Sequence, residues 1–315
     1  MINNFDNKRY LTLNNFYKQT FGGKVFKVSL NGNFTCPNID GTIGVGGCIF
    51  CSGKGSGDFA GDKEDDLLTQ FNKTKVLLDK KWPNSKYIAY FQANTNTYAP
   101  VEQLRKLYFK ALTIDNVIGL SLSTRPDSIS DETLDLLEEL SHRTYLTVEL
   151  GLQSIYAQTL KLINRGHDLE CFRKMYTKLR ERNINVVTHI INGLPGETKE
   201  MMLDTVRFLS EISKPQDGST VGVKIHMLHI LTDARLAEFY EKEKFHILTR
   251  EEYVDIVCDQ LELLRDNIVV HRVTGDADFD TLIEPEWIKK KLCVINEIDK
   301  ELKRRNSYQG SNFGG

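Results

Sequence analysis

Residues 36–51 read CPNIDGTIGVGGCIFC and bring three cysteines into one short segment: Cys36, Cys48 and Cys51. Eleven residues separate Cys36 from Cys48, and two separate Cys48 from Cys51. Pro37 and four glycines within the segment predict a loop, because glycine and proline interrupt helices and strands. Thiolates held on one loop are the donors that a soft metal centre prefers. The segment therefore predicts a metal-binding loop.

The number of cysteines narrows the kind of metal centre. A structural zinc site takes four protein ligands, whereas three thiolates leave one iron of a [4Fe-4S] cluster without a protein ligand. Such an open iron can bind a small molecule, and S-adenosylmethionine (SAM) is the known partner for radical chemistry of that kind. Zinc is the alternative, with a fourth ligand from His226, His229 or His271. The loop alone does not separate the two, since zinc sites also use a two-residue spacing.

Length and composition describe an ordinary globular chain. Its 315 residues are 40% hydrophobic and 27% charged, which suffices for a large buried core. The N-terminus, MINNFDNKRY, lacks the apolar run of a signal peptide, and no stretch approaches the roughly 18 apolar residues of a membrane span. Six cysteines, three of them clustered, argue against a secreted disulfide scaffold. We therefore expect a cytoplasmic protein without a membrane partner.

Charge is unevenly distributed along the chain. The net charge of -2 provides no general basic field for nucleic acid. Residues 171–182 nevertheless carry five Lys or Arg, and residues 289–305 carry seven against three acids. These stretches are either solvated helix faces or contacts for the phosphates of RNA.

Strand patterns alternate with helix patterns along the chain. The predicted strands are residues 24–30, 87–91, 117–123, 144–150, 185–191, 221–230 and, less regularly, 267–273. This alternation predicts an α/β fold with a parallel sheet. We expect a partial (β/α)6-type TIM-like barrel, with an N-terminal cap at residues 1–24 and a barrel core at 25–230. Residues 231–315 would form a C-terminal α/β extension with a basic helix and a flexible tail.

Unusual polar residues lie at or just past the predicted strand ends. They are Gln92, Asn94, Arg125, Glu149, Gln153, Asn192, His226, His229, His271 and Arg272. A barrel builds its active site at the carboxyl ends of its strands, whereas a doubly wound sheet binds its ligand at one switch point. The distribution along nearly every strand therefore favours the barrel.

Six segments in this order resemble the radical SAM superfamily, and within it the small bacterial branch related to Elongator. They are VSLNGNFTCPN (28–38), GGCIFCS (46–52), YFQANTNTYA (90–99), TRPD (124–127), VELGLQS (148–154) and GLPGET (193–198). The eleven-residue cysteine gap is longer than the common spacing of the superfamily and resembles that of the Elongator branch. The resemblance covers about residues 10–310.

The resemblance implies a [4Fe-4S] cluster ligated by Cys36, Cys48 and Cys51, with SAM as the second cofactor. Residues 92–94 stand where the superfamily has a Gly-Gly-Glu motif that binds the methionine amino group. The Glu is absent here, but amide side chains can also accept a hydrogen bond from an ammonium group. The cofactor-binding residues that the resemblance implies are Phe50, Gln92, Asn94, Arg125, Glu149, Gln153, Asn192, Gly193 and Pro195.

Several of these residues also have a structural interpretation. Residues 125–127 can form an ordinary turn, and residues 193–196 a plain strand-to-helix loop. His226 and His229 are either satisfied core histidines or substrate contacts. The substrate candidates are His226, His229, His271 and Arg272. The remaining cysteines, Cys171, Cys258 and Cys293, are predicted to be buried core thiols.

The resemblance also implies an enzyme that cleaves SAM reductively and generates a 5′-deoxyadenosyl radical. Elongator relatives act on the wobble uridine of tRNA. The leading hypothesis is therefore modification of its C5 substituent, from carboxymethylaminomethyl toward aminomethyl. The implied partners are tRNA, an external electron donor and a downstream tRNA methyltransferase. The alternatives are radical chemistry on a small metabolite or another RNA position, and a non-catalytic zinc-bound RNA-binding module.

Overall fold

The computed structural model describes residues 8–52, 55, 57, 59–216 and 218–314. The helices are α1 (Leu13–Phe21), α2 (Leu67–Lys81), α3 (Val101–Leu112), α4 (Asp131–Arg143), α5 (Ala157–Leu162), α6 (Leu169–Glu181), α7 (Lys199–Ile212), α8 (Arg235–Lys242), α9 (Arg250–Leu263) and α10 (Lys291–Arg304). The strands are β1 (Val25–Leu30), β2 (Lys86–Phe91), β3 (Val117–Thr124), β4 (Tyr145–Gln153), β5 (Asn185–Asn192), β6 (Val221–Met227), β7 (Ile230–Leu231), β8 (Ile268–Arg272) and β9 (Leu282–Glu284).

Seven of the strands form one parallel sheet in the order β1-β2-β3-β4-β5-β6-β8. Each strand pairs with the next one along this order, as expected when helices connect parallel strands. The expected partial barrel is confirmed, with seven strands in place of six. The seventh strand, β8, comes from the segment that we assigned to the C-terminal extension, so the sheet continues past residue 230. The two short strands β7 and β9 form a separate antiparallel pair.

Helix starts follow the signals in the sequence. Ser130 caps α4 by accepting a hydrogen bond from the Thr133 amide, and Thr249 and Glu252 form a capping box on α9. Each cap contributes about 1 kcal/mol to stability. The predicted inner face of α4 is buried against the sheet through Leu134, Leu137 and Leu140.

The N-terminal segment spans the gap between the two edge strands of the sheet. Thr12 forms a parallel bridge with Val270 of β8, and the Val270 amide donates to the Leu11 carbonyl. On the other side, Tyr17 of α1 packs against Val25 of β1. The described part of the predicted cap therefore covers the opening that a seven-stranded partial barrel leaves between β8 and β1.

The C-terminal tail is packed, so the expectation of a flexible tail is wrong for its described residues. Gln309 is fully buried. Its side-chain amide donates to the carbonyls of Arg265 and Ile268 and accepts from the Leu11 amide. These bonds fix the tail between the N-terminal segment and β8. The prediction of buried thiols holds for Cys258 but is wrong for Cys171, which is half-buried, and for Cys293, which is exposed on α10.

The first basic stretch serves helix packing. In α6, Lys178 pairs with Asp131 of α4, and the buried Arg180 donates to the Ser219 hydroxyl. This supports the structural interpretation of residues 171–182. The second stretch keeps an exposed cationic face, formed by Lys289, Lys290, Lys300 and Lys303.

Among the described residues, no helix combines the length and apolarity needed to cross a bilayer.

Candidate active site

The cysteine loop follows β1 and is anchored to two other parts of the chain. The Ile49 amide donates to the Ile163 carbonyl, and the Ile49 carbonyl accepts from the Leu236 amide. The Ile49 side chain packs in a small apolar cluster with Leu160 and Leu194. These contacts hold the segment between Cys48 and Cys51 against the carboxyl ends of the strands.

The sulfur of Cys48 lies in a polar and positively charged environment. The Asn38 side-chain amide lies 3.7 Å from this sulfur, and Nη1 of Arg165 lies 3.5 Å from it. A hydrogen bond from the Cys51 thiol, together with the charges of Arg165 and Arg125, holds the pKa of Cys48 well below its usual value. The thiolate is the form that binds iron. Three thiols beside two guanidinium groups therefore fit an anionic [4Fe-4S] cluster, whose properties depend on charge and hydrogen bonds near its sulfurs.

Arg165 was missed in the sequence. It follows α5, and its Nη2 donates to the Gly151 carbonyl at 2.6 Å, which fixes the guanidinium beside Cys48. The next residue, Gly166, has φ +79, and a Cβ there would lie 2.9 Å from the Asn38 side-chain oxygen. The Arg-Gly pair in residues 165–166 was the available signal, but nothing local connects it with the cysteines.

Arg125 is close to the cysteine loop, but its guanidinium does not line the cavity described below. Its Nε donates to Oδ1 of Asp127 at 2.9 Å, and its Nη2 donates to Oδ2 at 2.6 Å. The expected bidentate carboxylate partner is therefore a residue of the chain itself. This pairing agrees with the turn interpretation of residues 125–127, where a short 3-10 turn, Pro126–Ser128, follows Arg125. The cofactor contact of Arg125 stays a prediction.

A cavity of about 650 Å³ runs along the inner face of the barrel, from α1 to the cysteine loop. Its wall includes Leu13 and Tyr17 at one end and Cys51 at the other. Eight predicted site residues line it: Phe50, Cys51, Gln92, Gln153, His226, His229, His271 and Arg272. Pockets of this size accommodate a cofactor or a drug-sized ligand.

Other predicted contacts lie behind the cavity wall. The Asn192 side chain is buried and exchanges two amide hydrogen bonds of 2.8 Å with Gln260. The Asn94 side chain donates to the Phe34 carbonyl, and its oxygen lies where a Cβ on Gly55 would be only 2.0 Å away. Both amides thus have partners within the protein, and their contact with the cofactor stays a prediction.

The GLPG segment likewise lies outside the cavity lining. Gly193 has φ +86, and its amide lies 3.2 Å from the sulfur of Met202. Leu194 packs with Ile49 of the cysteine loop. Gly193 and Pro195 are not among the residues that line the cavity. The segment thus supports the cysteine loop from behind, as a strand-to-helix connection.

Glu149 lies inside β4 and not at its end, because the strand continues to Gln153. Its Oε1 accepts from Lys27 at 2.5 Å and from Ser121 at 2.6 Å. Its Oε2 accepts from Lys224 and lies 2.7 Å from Nε2 of His189. The side chain is fully buried, and both oxygens are occupied. The expected contact of Glu149 with the ribose or methionine of a cofactor stays a prediction.

The charges around Glu149 determine its ionisation. Burial alone would raise the pKa of this carboxyl, but Lys224 and Lys27 hold it well below its usual value. In return, burial lowers the pKa of Lys224 to about 7, although the Glu149 charge opposes the shift. Nζ of Lys224 also donates to the Tyr90 hydroxyl at 3.0 Å. The network places two amines and one carboxylate at the base of the cavity.

Three histidines face the cavity with nitrogen atoms that have no hydrogen-bond partner within the described residues. The atoms are Nε2 of His226, Nε2 of His229 and Nδ1 of His271. Glycines make room for two of the rings, since a Cβ on Gly222 or Gly275 would lie 2.8 Å from His271 or His229, respectively. Burial holds the pKa of all three below the usual value, so the rings are neutral. Nε2 of His226 and Nε2 of His229 therefore lack the partners that the core interpretation requires, and the substrate contacts stay a prediction.

His189 on β5 was also missed. It lines the cavity, its ring lies 5.4 Å from that of His226, and its Nε2 faces Glu149. Burial lowers the pKa of His189 to about 4. The sequence signal was a polar residue within the apolar strand 185–191.

Comparisons with known proteins agree with this geometry. The model of the Radical SAM superfamily matches residues 40–209, and the Radical SAM C-terminal domain matches residues 220–304. Uncharacterized protein YtqA of Bacillus subtilis (strain 168) is 49% identical over 306 residues, which are 97% of this chain and 93% of that protein. The tRNA uridine(34) acetyltransferase of Methanocaldococcus infernus is 26% identical over 167 residues, 53% of this chain and 30% of that protein.

A solved structure shares the fold. The archaeal Methanocaldococcus infernus Elp3 with an N-terminal deletion superposes with a TM-score of 0.66 at 18% identity, covering 91% of this chain and 64% of that one. At this identity the likeness shows the fold alone. Together with the matched family model, it leads to one conclusion. The chain belongs to the radical SAM superfamily, a class of enzymes that use a [4Fe-4S] cluster and S-adenosylmethionine.

Proposed function

We propose that this enzyme modifies the C5 substituent of the wobble uridine in tRNA, from carboxymethylaminomethyl toward aminomethyl. The observation that carries the proposal is the polar cavity that opens beside Cys51 and is lined by neutral histidines. Neutral imidazoles can donate or accept a hydrogen bond, and a uracil ring offers both kinds of partner. The similarity to a tRNA uridine(34) acetyltransferase supports tRNA as the source of this uridine.

In this proposal Cys36, Cys48 and Cys51 hold the cluster. When bound, the cluster and SAM supply a radical that abstracts hydrogen from an unactivated carbon. Arg165 balances the negative charge of the thiolates, and Arg125, bound to Asp127, keeps Arg165 in position through the Arg165 carbonyl. Each of these residues acts on the cysteine loop and not on the substrate.

Other residues bind the two small molecules. Phe50, Gln92 and Gln153 line the cavity near Cys51, so we assign them to SAM. His226, His229 and His271 line the same cavity, and we assign them to the substrate. The surrounding apolar strands exclude water, which protects a reactive intermediate.

The proposal also names partners. The exposed lysines of α10 and the segment before it are candidates for phosphate contact, which would make tRNA binding sensitive to salt. An external electron donor would reduce the cluster. A downstream tRNA methyltransferase would act on the aminomethyl product. All three partners imply a cytoplasmic location.

The proposal is tested with tRNA that carries carboxymethylaminomethyluridine. The protein is reconstituted anaerobically with iron and sulfide, then incubated with this tRNA, SAM and a reductant, and the tRNA nucleosides are separated by mass. We expect the aminomethyl nucleoside from the wild type and none from Cys48→Ala. Formation of 5′-deoxyadenosine without a change in the tRNA would refute the wobble-uridine substrate. It would favour a small metabolite or another RNA position.

A further inference from the structure

We propose that the base of the cavity is a carboxylate-binding site, formed by Lys27, Lys224 and Arg272, which we call the cationic floor. It would receive the carboxylate of the substrate. The identity of that carboxylate, the end of the carboxymethylaminomethyl group, rests on the proposed function. The site itself rests on the charges, hydrogen bonds and burial of the described residues.

The charged side chains around the cavity carry an excess of positive charge. Lys27 on β1, Lys224 on β6 and Arg272 on β8 converge on the cavity from both sides of the partial barrel. Glu149, below the lining, and Asp276 are the carboxylates that pair with them. When Lys224 is protonated, three cations thus face two anions, and Lys24 at the α1 end adds a fourth cation. The neutral histidines add no charge, so the wall keeps an excess of positive charge that attracts an anion.

The amines of Lys27 and Lys224 have hydrogen-bonding capacity beyond their bonds within the protein. Nζ of Lys27 donates to Ser121 and Glu149, and Nζ of Lys224 donates to Tyr90 and Glu149. An ammonium group has three N–H donors, so each lysine in its protonated form retains one beyond these bonds. Both Nζ atoms also lie near the Tyr90 ring, 5.1 Å and 4.4 Å from its centroid. The side chains of Lys27 and Lys224 are only 12% and 9% exposed, so bulk water has little access to these donors.

Arg272 and the histidines extend this set of donors. Arg272 donates to Asp276 through Nη2 at 2.9 Å, which leaves other N–H groups of its fork available. Nε2 of His226 and Nδ1 of His271 line the same cavity and lack a partner within the described residues. A buried polar group without a partner is unfavourable, so these atoms indicate a ligand that forms hydrogen bonds with them. In the tautomer that carries its proton on this nitrogen, each ring donates. A carboxylate supplies two oxygens that accept such bonds.

The cationic floor lies directly below the cysteine loop. Lys27 and Lys224 each lie three residues before the end of their strands, β1 and β6. With a rise of about 3.3 Å per residue, the floor is about 10 Å below the strand ends where the cysteine loop begins. Cys51 lines the upper part of the same cavity. A substrate anchored by a terminal carboxylate would therefore direct the rest of its chain toward the cysteines.

The methionine part of SAM also carries a carboxylate, so the same chemistry has two possible sources. The two can be separated by asking whether SAM and a second carboxylate bind together. N-acetylglycine is a suitable probe, and N-acetylglycinamide is its uncharged counterpart of nearly equal shape. A ligand that binds only the native state raises the midpoint of thermal unfolding, and the rise increases with the logarithm of the ratio of ligand concentration to Kd.

The experiment records thermal unfolding of the full chain, reconstituted anaerobically with iron and sulfide, in the presence of either probe. We expect N-acetylglycine to raise the midpoint and N-acetylglycinamide to have no effect. Arg272→Gln should reduce the affinity for N-acetylglycine at least 5-fold, in line with the loss of a charged hydrogen bond. Lys27→Met provides a second variant should Arg272→Gln unfold. Arg207→Gln, which removes an exposed ion-paired arginine of α7, is the matched control and should bind normally.

Each outcome decides one question. The cationic floor would be overturned if N-acetylglycine and N-acetylglycinamide raised the unfolding midpoint equally. It would also be overturned if Arg272→Gln and Lys27→Met both kept the wild-type response to N-acetylglycine. Loss of the N-acetylglycine shift in saturating SAM would assign the floor to the cofactor and overturn its role for the substrate. If N-acetylglycine binds together with SAM but the tRNA is not converted, the proposed function is wrong and the cationic floor is supported. If the tRNA is converted but N-acetylglycine and N-acetylglycinamide change the unfolding midpoint equally, the proposed function is supported and the cationic floor is wrong.

Discussion

Arg165 donates a hydrogen bond to the sulfur of Cys48 across 3.5 Å, although 117 residues separate the two in the sequence. The contact joins the loop after β1 to the segment after α5. It places a buried positive charge beside the thiol of Cys48, whose pKa is held well below its usual value. The environment of the cysteine loop therefore includes a residue from a distant part of the chain.

Arg165→Met should weaken cluster retention. The substitution removes the charge and the hydrogen bond at Cys48, and groups that support metal ligands in this way typically contribute about 10- to 100-fold in affinity or activity. We expect about 10-fold faster loss of iron from the reconstituted protein to a chelator, followed by absorbance. The reduction potential should also become more negative, because a positive charge near the cluster is lost.

Arg235→Gln is the control for that variant. Arg235 also contacts the cysteine loop, but its Nη1 donates to the carbonyl of Gly47 at 3.3 Å and not to a sulfur. Iron retention close to the wild type is expected. Equal iron loss in both variants would indicate that Arg165 only stabilises the loop backbone.

Glu149→Gln should strongly destabilise the fold. The substitution leaves Lys27 and Lys224 buried without their carboxylate, and breaking a buried ion pair in this way costs about 3–5 kcal/mol. The free energy of unfolding from urea titration measures this loss. Glu139→Gln, which removes an exposed partner of Arg105 and Arg143, should cost less than about 1 kcal/mol. A loss below 1 kcal/mol for Glu149→Gln would contradict the described network.

Gly222→Ala should disturb the cavity wall. The added Cβ would lie 2.8 Å from the His271 ring and 3.0 Å from the Val269 carbonyl oxygen, and overpacking of this kind costs about 1–3 kcal/mol. Urea unfolding tests this value. Gly23→Ala meets no atom within 4 Å and should leave stability nearly unchanged. Equal stability of the two variants would show that His271 can leave its position freely.

Binding of N-acetylglycine should weaken as the pH rises through about 7. Burial lowers the pKa of Lys224 to about 7, so the cationic floor loses one positive charge over this range. The pKa of Glu149, Tyr90, His189, His226 and His271 is shifted away from neutrality, toward lower values for the acid and the histidines and a higher value for the tyrosine. Lys224→Met should bind more weakly and without this pH dependence. A wild-type affinity constant between about pH 6 and 8 would contradict the assignment.

The lowered pKa of Lys224 also makes the free energy of unfolding depend on pH. The folded state holds Lys224 at a pKa of about 7, below the ordinary 10.5 of the unfolded chain. Between these values the unfolded state binds more protons, so the Lys224 contribution to the free energy of unfolding increases with pH. Lys224→Met should lose this contribution to the pH dependence.

Local patterns predicted the sheet and the cysteine loop, because both depend on short-range periodicity and spacing. The seven strand patterns all correspond to strands, and the one at residues 221–230 ends earlier, at Met227. The loop after β1 and the cavity beside Cys51 also agree with the expected barrel face. Glu149 was misplaced because an apolar run hides a buried charge whose partners lie on other strands.

Contacts between distant segments account for what the sequence did not reveal. Arg165 and His189 matter through partners 117 and 40 residues away, which no local pattern identifies. The ion pair between Arg125 and Asp127 is local, but the sequence did not show that these two residues bind each other. The tail was expected to be flexible because chain ends are often poorly ordered, although Gln309 binds three backbone groups.

The most direct test is 5′-deoxyadenosine formation by the anaerobically reconstituted protein with SAM, a reductant and wobble-modified tRNA. The account predicts product from the wild type, more product when tRNA is added than without it, and none from Cys48→Ala. Wild-type protein that carries the cluster and binds SAM but forms no 5′-deoxyadenosine, with or without tRNA, would contradict the proposed radical reaction.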